Sequence, residues 1–79
     1  MLDSNEAERR LNWAIRQVPG LEGVSARIIG TEDIISFKAE LIKGGRKAEA
    51  KISRALIEYV DPERGYLDPQ MRDFLLGML

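Results

Sequence analysis

The 79-residue chain contains no cysteine and no histidine. Lack of cysteine excludes a disulfide framework and is compatible with a reducing compartment. Without either residue there is no Ser-His-Asp triad, no Cys-His pair and no zinc site of the usual ligand types. No apolar run exceeds three residues, far short of the roughly 20 that a membrane-spanning helix needs. The opening MLDSNEAERR carries acids early and no apolar stretch, which is not the pattern of a secretory signal. There are only three prolines and five aromatic residues (one Trp, two Tyr, two Phe), so each of them carries positional information.

What is present describes an ordinary globular composition, 44% hydrophobic and 32% charged, too apolar for disorder. The length allows one domain, residues 1–79, near the lower limit for folding without disulfides or metals. A core of this size supplies only about 3–5 kcal/mol of net stability, so association with a second copy would help it. The net charge is −1 but uneven. Lys43, Arg46, Lys47, Lys51 and Arg54 face Glu49 alone between positions 43 and 54, while the rest of the chain is acidic.

Asp3 to Val18 has the pattern of a helix. Asp3 is a cap with Glu6 placed three residues on to close a capping box, and Ala7, Leu11, Ala14, Ile15 and Val18 form an apolar stripe. Pro19-Gly20 stops it. Val24–Ile29 and Ile34–Ile42 alternate as strands, the second with Ile35, Phe37, Ala39 and Leu41 on one face. The GTED between them suits the turn of an antiparallel hairpin.

After Gly44-Gly45 the spacing of Ala48, Ile52, Ala55, Leu56 and Tyr59 predicts a helix from about Lys47. The same GG is also a hairpin turn, and RKAEAKI alternates well enough for a third strand. Pro62 ends the helix. Asp68 and Pro69 open another, with Met71, Phe74, Leu75 and Met78 as its buried face. The expected fold is α+β: an antiparallel sheet of two or three strands with helices on one face, a ferredoxin-like half of order α-β-β-α-α.

Candidate sites are few. GLEG (Gly20–Gly23) has the spacing of a KH-type loop, but it joins a helix to a strand and Glu22 would repel phosphate. Asp61, Glu63 and Asp68 lack EF-hand spacing. No catalytic residue, metal ligand or cofactor site is assigned. The cationic segment Lys43, Arg46, Lys47, Lys51 and Arg54 could grip phosphates, which gives the alternative of a nucleic-acid-binding module with the α-β-β-β-α order of a double-stranded-RNA-binding domain. Trp13 lies opposite the helix stripe with Leu2 nearby. The pair is a candidate interface, for a second copy or for another protein bound by an adaptor.

With those residues in view, VPGLEGVSARIIG, FKAELIKGGR and LDPQMRDFLLGML resemble the C-terminal soluble domain of cation diffusion facilitator transporters, in the branch that includes mitochondrial zinc transporters. The resemblance implies a non-enzymatic, dimeric regulatory domain of a zinc or divalent-cation efflux protein, on the cytoplasmic or matrix face and joined to a membrane portion. It implies structural roles for Phe37, Ala39, Leu41, Gly44 and Gly45, a helix directly after the glycine pair, and no metal ligand here, since the histidines that bind metal in many members are absent.

Overall fold

The computed structural model describes residues 2–78. Helix α1 (Ser4–Gln17) starts where Asp3 accepts a hydrogen bond from the Glu6 N–H at 2.8 Å. The capping box is half made. The Glu6 carboxylate turns to Arg9 Nη2 (2.6 Å) and Arg10 Nε (2.8 Å) instead of reaching back, because two charge-assisted bonds outweigh one to a backbone N–H. Ala7, Leu11, Ala14, Ile15 and Val18 are buried as their spacing requires.

Those guanidiniums give Glu6 a measurable signature. Hydrogen bonds from Arg9 first and Arg10 second bring its carboxyl from 4.5 to about 2. A folded-state value below the unfolded one means that the ionised group contributes stability above pH 4.5, and the contribution fades as pH falls through about 2. A carboxyl-detected NMR titration is expected to place the Glu6 midpoint near 2. A midpoint above 4 would show the Arg9–Glu6–Arg10 cluster to be unformed in solution.

Three strands follow, β1 (Ser25–Asp33), β2 (Ser36–Lys43) and β3 (Arg46–Ser53), paired antiparallel in the order β1-β2-β3. The expected helix from Lys47 is therefore corrected to a third strand, and the element order to α-β-β-β-α-α. Gly44 (φ 56°) and Gly45 (φ 82°) are both left-handed, the geometry of a two-residue hairpin turn whose twist matches the flanking strands. Once the chain reverses there, Leu41 meets Ala48 and Phe37 meets Ile52. Ile52 thereby enters the core, 1% exposed. Pairing and burial override the helix preference of Lys, Glu and Ala.

A second correction concerns the first hairpin. GTED does not form the turn, since β1 runs through Thr31–Asp33 with two register shifts, and the chain reverses at Ile34-Ile35. Asp33 accepts the Ile35 N–H at 3.0 Å, the local turn that aspartate favours. Ile34 and Ile35 consequently project at the tip, 90% and 68% exposed.

Helix α2 (Arg54–Glu58) is a single short turn, and its last carbonyl, together with that of Val60, is held by Arg10: Nη1 lies 3.0 Å from Glu58 O and 3.2 Å from Val60 O. A 3-10 turn (Pro62–Arg64) leads to helix α3 (Pro69–Leu76), capped by Asp68 as its sequence predicts. Met71 and Leu75 are buried, and Phe74 is half-buried against the core. The helices cover the sheet face that carries Phe37, Ala39, Leu41 and Ile52. The molecule is an α+β domain with a three-stranded antiparallel sheet.

Candidate functional site

The two edges of the sheet are treated differently. On β1 the backbone of Ala26 is satisfied by one side chain of α1: Asn12 Nδ2 donates to Ala26 O at 2.8 Å and Asn12 Oδ1 accepts from Ala26 N at 2.8 Å. One turn earlier on the helix, Glu8 Oε1 accepts from Ile28 N at 2.9 Å. Asn12 thus takes the place of one residue of a neighbouring strand.

The outer edge of β3 has no such cover among the described residues. Which groups it exposes follows from the register. Ala26 and Ile28 point their backbone groups outward to α1, so their partners Leu41 and Ala39 point theirs toward β3, where they meet Ala48 and Ala50. Antiparallel strands alternate direction residue by residue. The outward N–H and C=O groups of β3 therefore belong to Lys47, Glu49 and Lys51.

Beside this edge, on the helix-covered face, lies a cleft of about 480 Å³. It opens because the residues that β3 turns toward the helices near the hairpin are small: Ala48 is exposed and Ala50 half-covered. It is lined by Leu41 and Ala48 from the sheet, by Ile15, Leu21 and Val24 from α1 and the segment that follows it, and by Leu75 and Met78 from the C-terminal end. Lys43, Arg46 and Lys47, delivered by the glycine turn, rim it.

The cationic segment singled out in the sequence is divided by the fold. Arg54 sits over the Phe37 ring, 4.2 Å from its centroid, and donates to Leu2 O (3.0 Å) and Ile34 O (3.2 Å). Lys51 pairs with Asp33 at 3.0 Å. That contact comes first among the causes that lower the Asp33 carboxyl, ahead of the Ile35 N–H. Elsewhere on the open sheet face Lys38 pairs with Glu49 at 3.3 Å, and Arg27 comes within 4.0 Å of Glu40. Of the five, Lys51 alone has an ion-pair partner, and Lys43, Arg46 and Lys47 have neither an ion pair nor a side-chain hydrogen bond among the described residues.

Of the expected interface pair, Leu2 is corrected to the core. It is 5% exposed, held by apolar packing and by the Arg54 bond to its carbonyl. Trp13 is half-buried against the same core. Phe37, Ala39 and Leu41 fill the structural roles expected of them, and Gly44-Gly45 forms a hairpin turn instead of a strand-to-helix hinge. Asn12 and Glu8 went unrecognised in the sequence. The available signal was a lone Asn, a poor helix former with a side chain that competes for backbone groups, in the middle of a strong helix.

Among the described residues there is no cluster of three or more His, Cys, Asp or Glu side chains able to hold a metal ion, and no helix is long and apolar enough to cross a membrane. No protein-family model, curated protein or solved structure significantly matches the chain.

Proposed function

We propose that this chain is a non-enzymatic self-association module, in which two copies join their β3 strands into one six-stranded antiparallel sheet. The observation that carries the reading is the contrast between edges: β1 is closed by Asn12 and Glu8, whereas β3 offers Lys47, Glu49 and Lys51. A free strand edge is a template for another strand, and a small domain gains most from extending its sheet.

Charge selects the register. Opposed residues must share a face, and the two two-fold registers that overlap most of Arg46–Ser53 centre on Glu49 and on Ala50. Centring on Glu49 sets Glu49 against itself and Lys47 against Lys51, which is repulsive. Centring on Ala50 sets Glu49 against Lys51 of the second copy twice over, with Ala48 opposite Ile52. Opposed charges on facing strands attract and like charges repel. Side chains of Glu49 and Lys51 are 57% and 58% exposed, free enough to serve both copies.

The fold has the α-β-β-β-α order of the nucleic-acid alternative, whereas two of its five cations, Lys51 and Arg54, are engaged within the molecule and the open sheet face balances its own charges, which leaves that reading the weaker one. The transporter resemblance implies a helix straight after the glycine pair, and that position holds β3. The proposal therefore rests on the strand edge. Were the chain joined to the membrane portion of an efflux protein, as the resemblance implies, this pairing would set the spacing of the attached membrane helices.

Sedimentation equilibrium of a charge-swap series tests the proposal. The native chain is expected to be a dimer. Glu49→Lys and Lys51→Glu should each shift it toward monomer by about tenfold or more in dissociation constant, and the double swap should restore pairing. A native monomer at all concentrations, or a double swap no better than the singles, contradicts it.

A further inference from the structure

We infer that the cleft beside β3 binds a small anionic amphiphile: an apolar chain or ring ending in a carboxylate, phosphate or sulfonate. The cleft's volume, about 480 Å³, falls within the range of small-molecule sites, which are mostly apolar with a few placed polar groups. Its interior is Ile15, Val24, Leu41, Ala48, Leu75 and Met78, and its polar lining is cationic and at one end: Lys43 and Arg46, which the register sets on this face, with Lys47 next to them in the chain. An apolar body in the cleft would bring an anionic head to that end.

The cations are available for it. Across the open sheet face Lys38, Lys51 and Arg27 have carboxylate partners, whereas the three at the rim have no ion pair among the described residues. Glu22 is a counter-charge close enough to feel Lys43. Its carboxyl is lowered by its own and the Gly20 backbone N–H, with a smaller contribution from Lys43. One carboxylate held by backbone N–H groups leaves Lys43 and Arg46 largely uncompensated at the mouth.

The same lining disfavours a polypeptide. An extended peptide in the cleft would lay its own N–H and C=O groups on Leu41, Ala48 and Leu75, which offer no side-chain hydrogen bond, and unpaired polar groups are costly to bury. A hydrocarbon body has no such groups. The cleft lies on the helix-covered face and does not use the outward N–H groups of β3, so this inference and the self-association proposal stand or fall separately.

Decanoate, kept well below its micelle-forming concentration, is the probe, followed by amide NMR. Saturable shifts at Val24, Ala48 and Met78 are expected, with affinity about tenfold above that of decanol or decyltrimethylammonium, which share the chain without the negative charge. The surface double variant Lys43→Glu/Arg46→Glu should remove that advantage, and Val24→Trp should fill the cleft and abolish the shifts. Spectra dispersed like those of the native chain certify both variants as folded. Equal affinity for decanoate and decanol overturns the inference. So do non-saturating shifts spread over the surface, binding that survives both variants, or uptake at this site of a Glu/Leu peptide where decanoate fails.

Discussion

Phe37→Ala is expected to unfold the domain. The ring is 1% exposed near the start of the middle strand, opposite Ile52 on one side and Thr31 on the other. Truncating a buried phenylalanine costs about 3–5 kcal/mol through lost transfer energy and the cavity left behind. That is about the whole net stability a core of this size provides. The variant loses more than packing, because Arg54, half-buried, rests 4.2 Å above the ring and a cation over an aromatic face adds roughly 0.5–2 kcal/mol. Arg54 in turn holds Leu2 O and Ile34 O, so the chain start and the first hairpin would loosen together. Circular dichroism with thermal melting checks this. A folded variant with an unchanged melting temperature would remove Phe37 from the core.

Asn12→Ala is expected to destabilise the domain and to change its assembly. On helix propensity alone the substitution should help, since Ala is the better helix former by about 0.5 kcal/mol. Against this, two 2.8 Å hydrogen bonds to Ala26 disappear, and the stranded backbone groups cost about 1–3 kcal/mol. The balance is destabilising. Removing the cap also frees a second sheet edge, so molecules able to pair through β3 could now chain through β1. Urea unfolding together with light scattering is expected to show a lower midpoint and species larger than a dimer. Unchanged or raised stability would mean that Asn12 does not serve as the edge cap.

How much of this the sequence disclosed depends on whether the deciding contact is local. Helix α1 and its stripe were legible because Asp3, the apolar spacing and Pro19 all act within a few residues. The Asp68-Pro69 start of α3 was legible for the same reason. Residues 46–53 were ambiguous because Ala48 and Ile52 satisfy two patterns at once. Four residues apart, they share one face of a helix and also one face of a strand. Lys, Glu and Ala tilt the local balance toward helix. What tips it back is remote in sequence, the pairing of Ile52 with Phe37, and the glycine pair was the one local clue. Charge spacing located the cations but not their division, since the partners Asp33 and Leu2 reach Lys51 and Arg54 only through tertiary structure. The cleft was invisible for a similar reason: it comes from small residues on β3 facing the end of α3, and neither segment hints at the other.

Amide hydrogen exchange across a concentration series tests the central claim most directly. The N–H groups of Ala26 and Ile28, bonded to Asn12 and Glu8, should be protected at every concentration. Those of Lys47, Glu49 and Lys51 should exchange freely in dilute solution and become protected as concentration rises, because a second β3 strand then accepts their hydrogen bonds. Free exchange at all three positions under conditions where the protein is demonstrably dimeric would place the interface elsewhere and contradict the account.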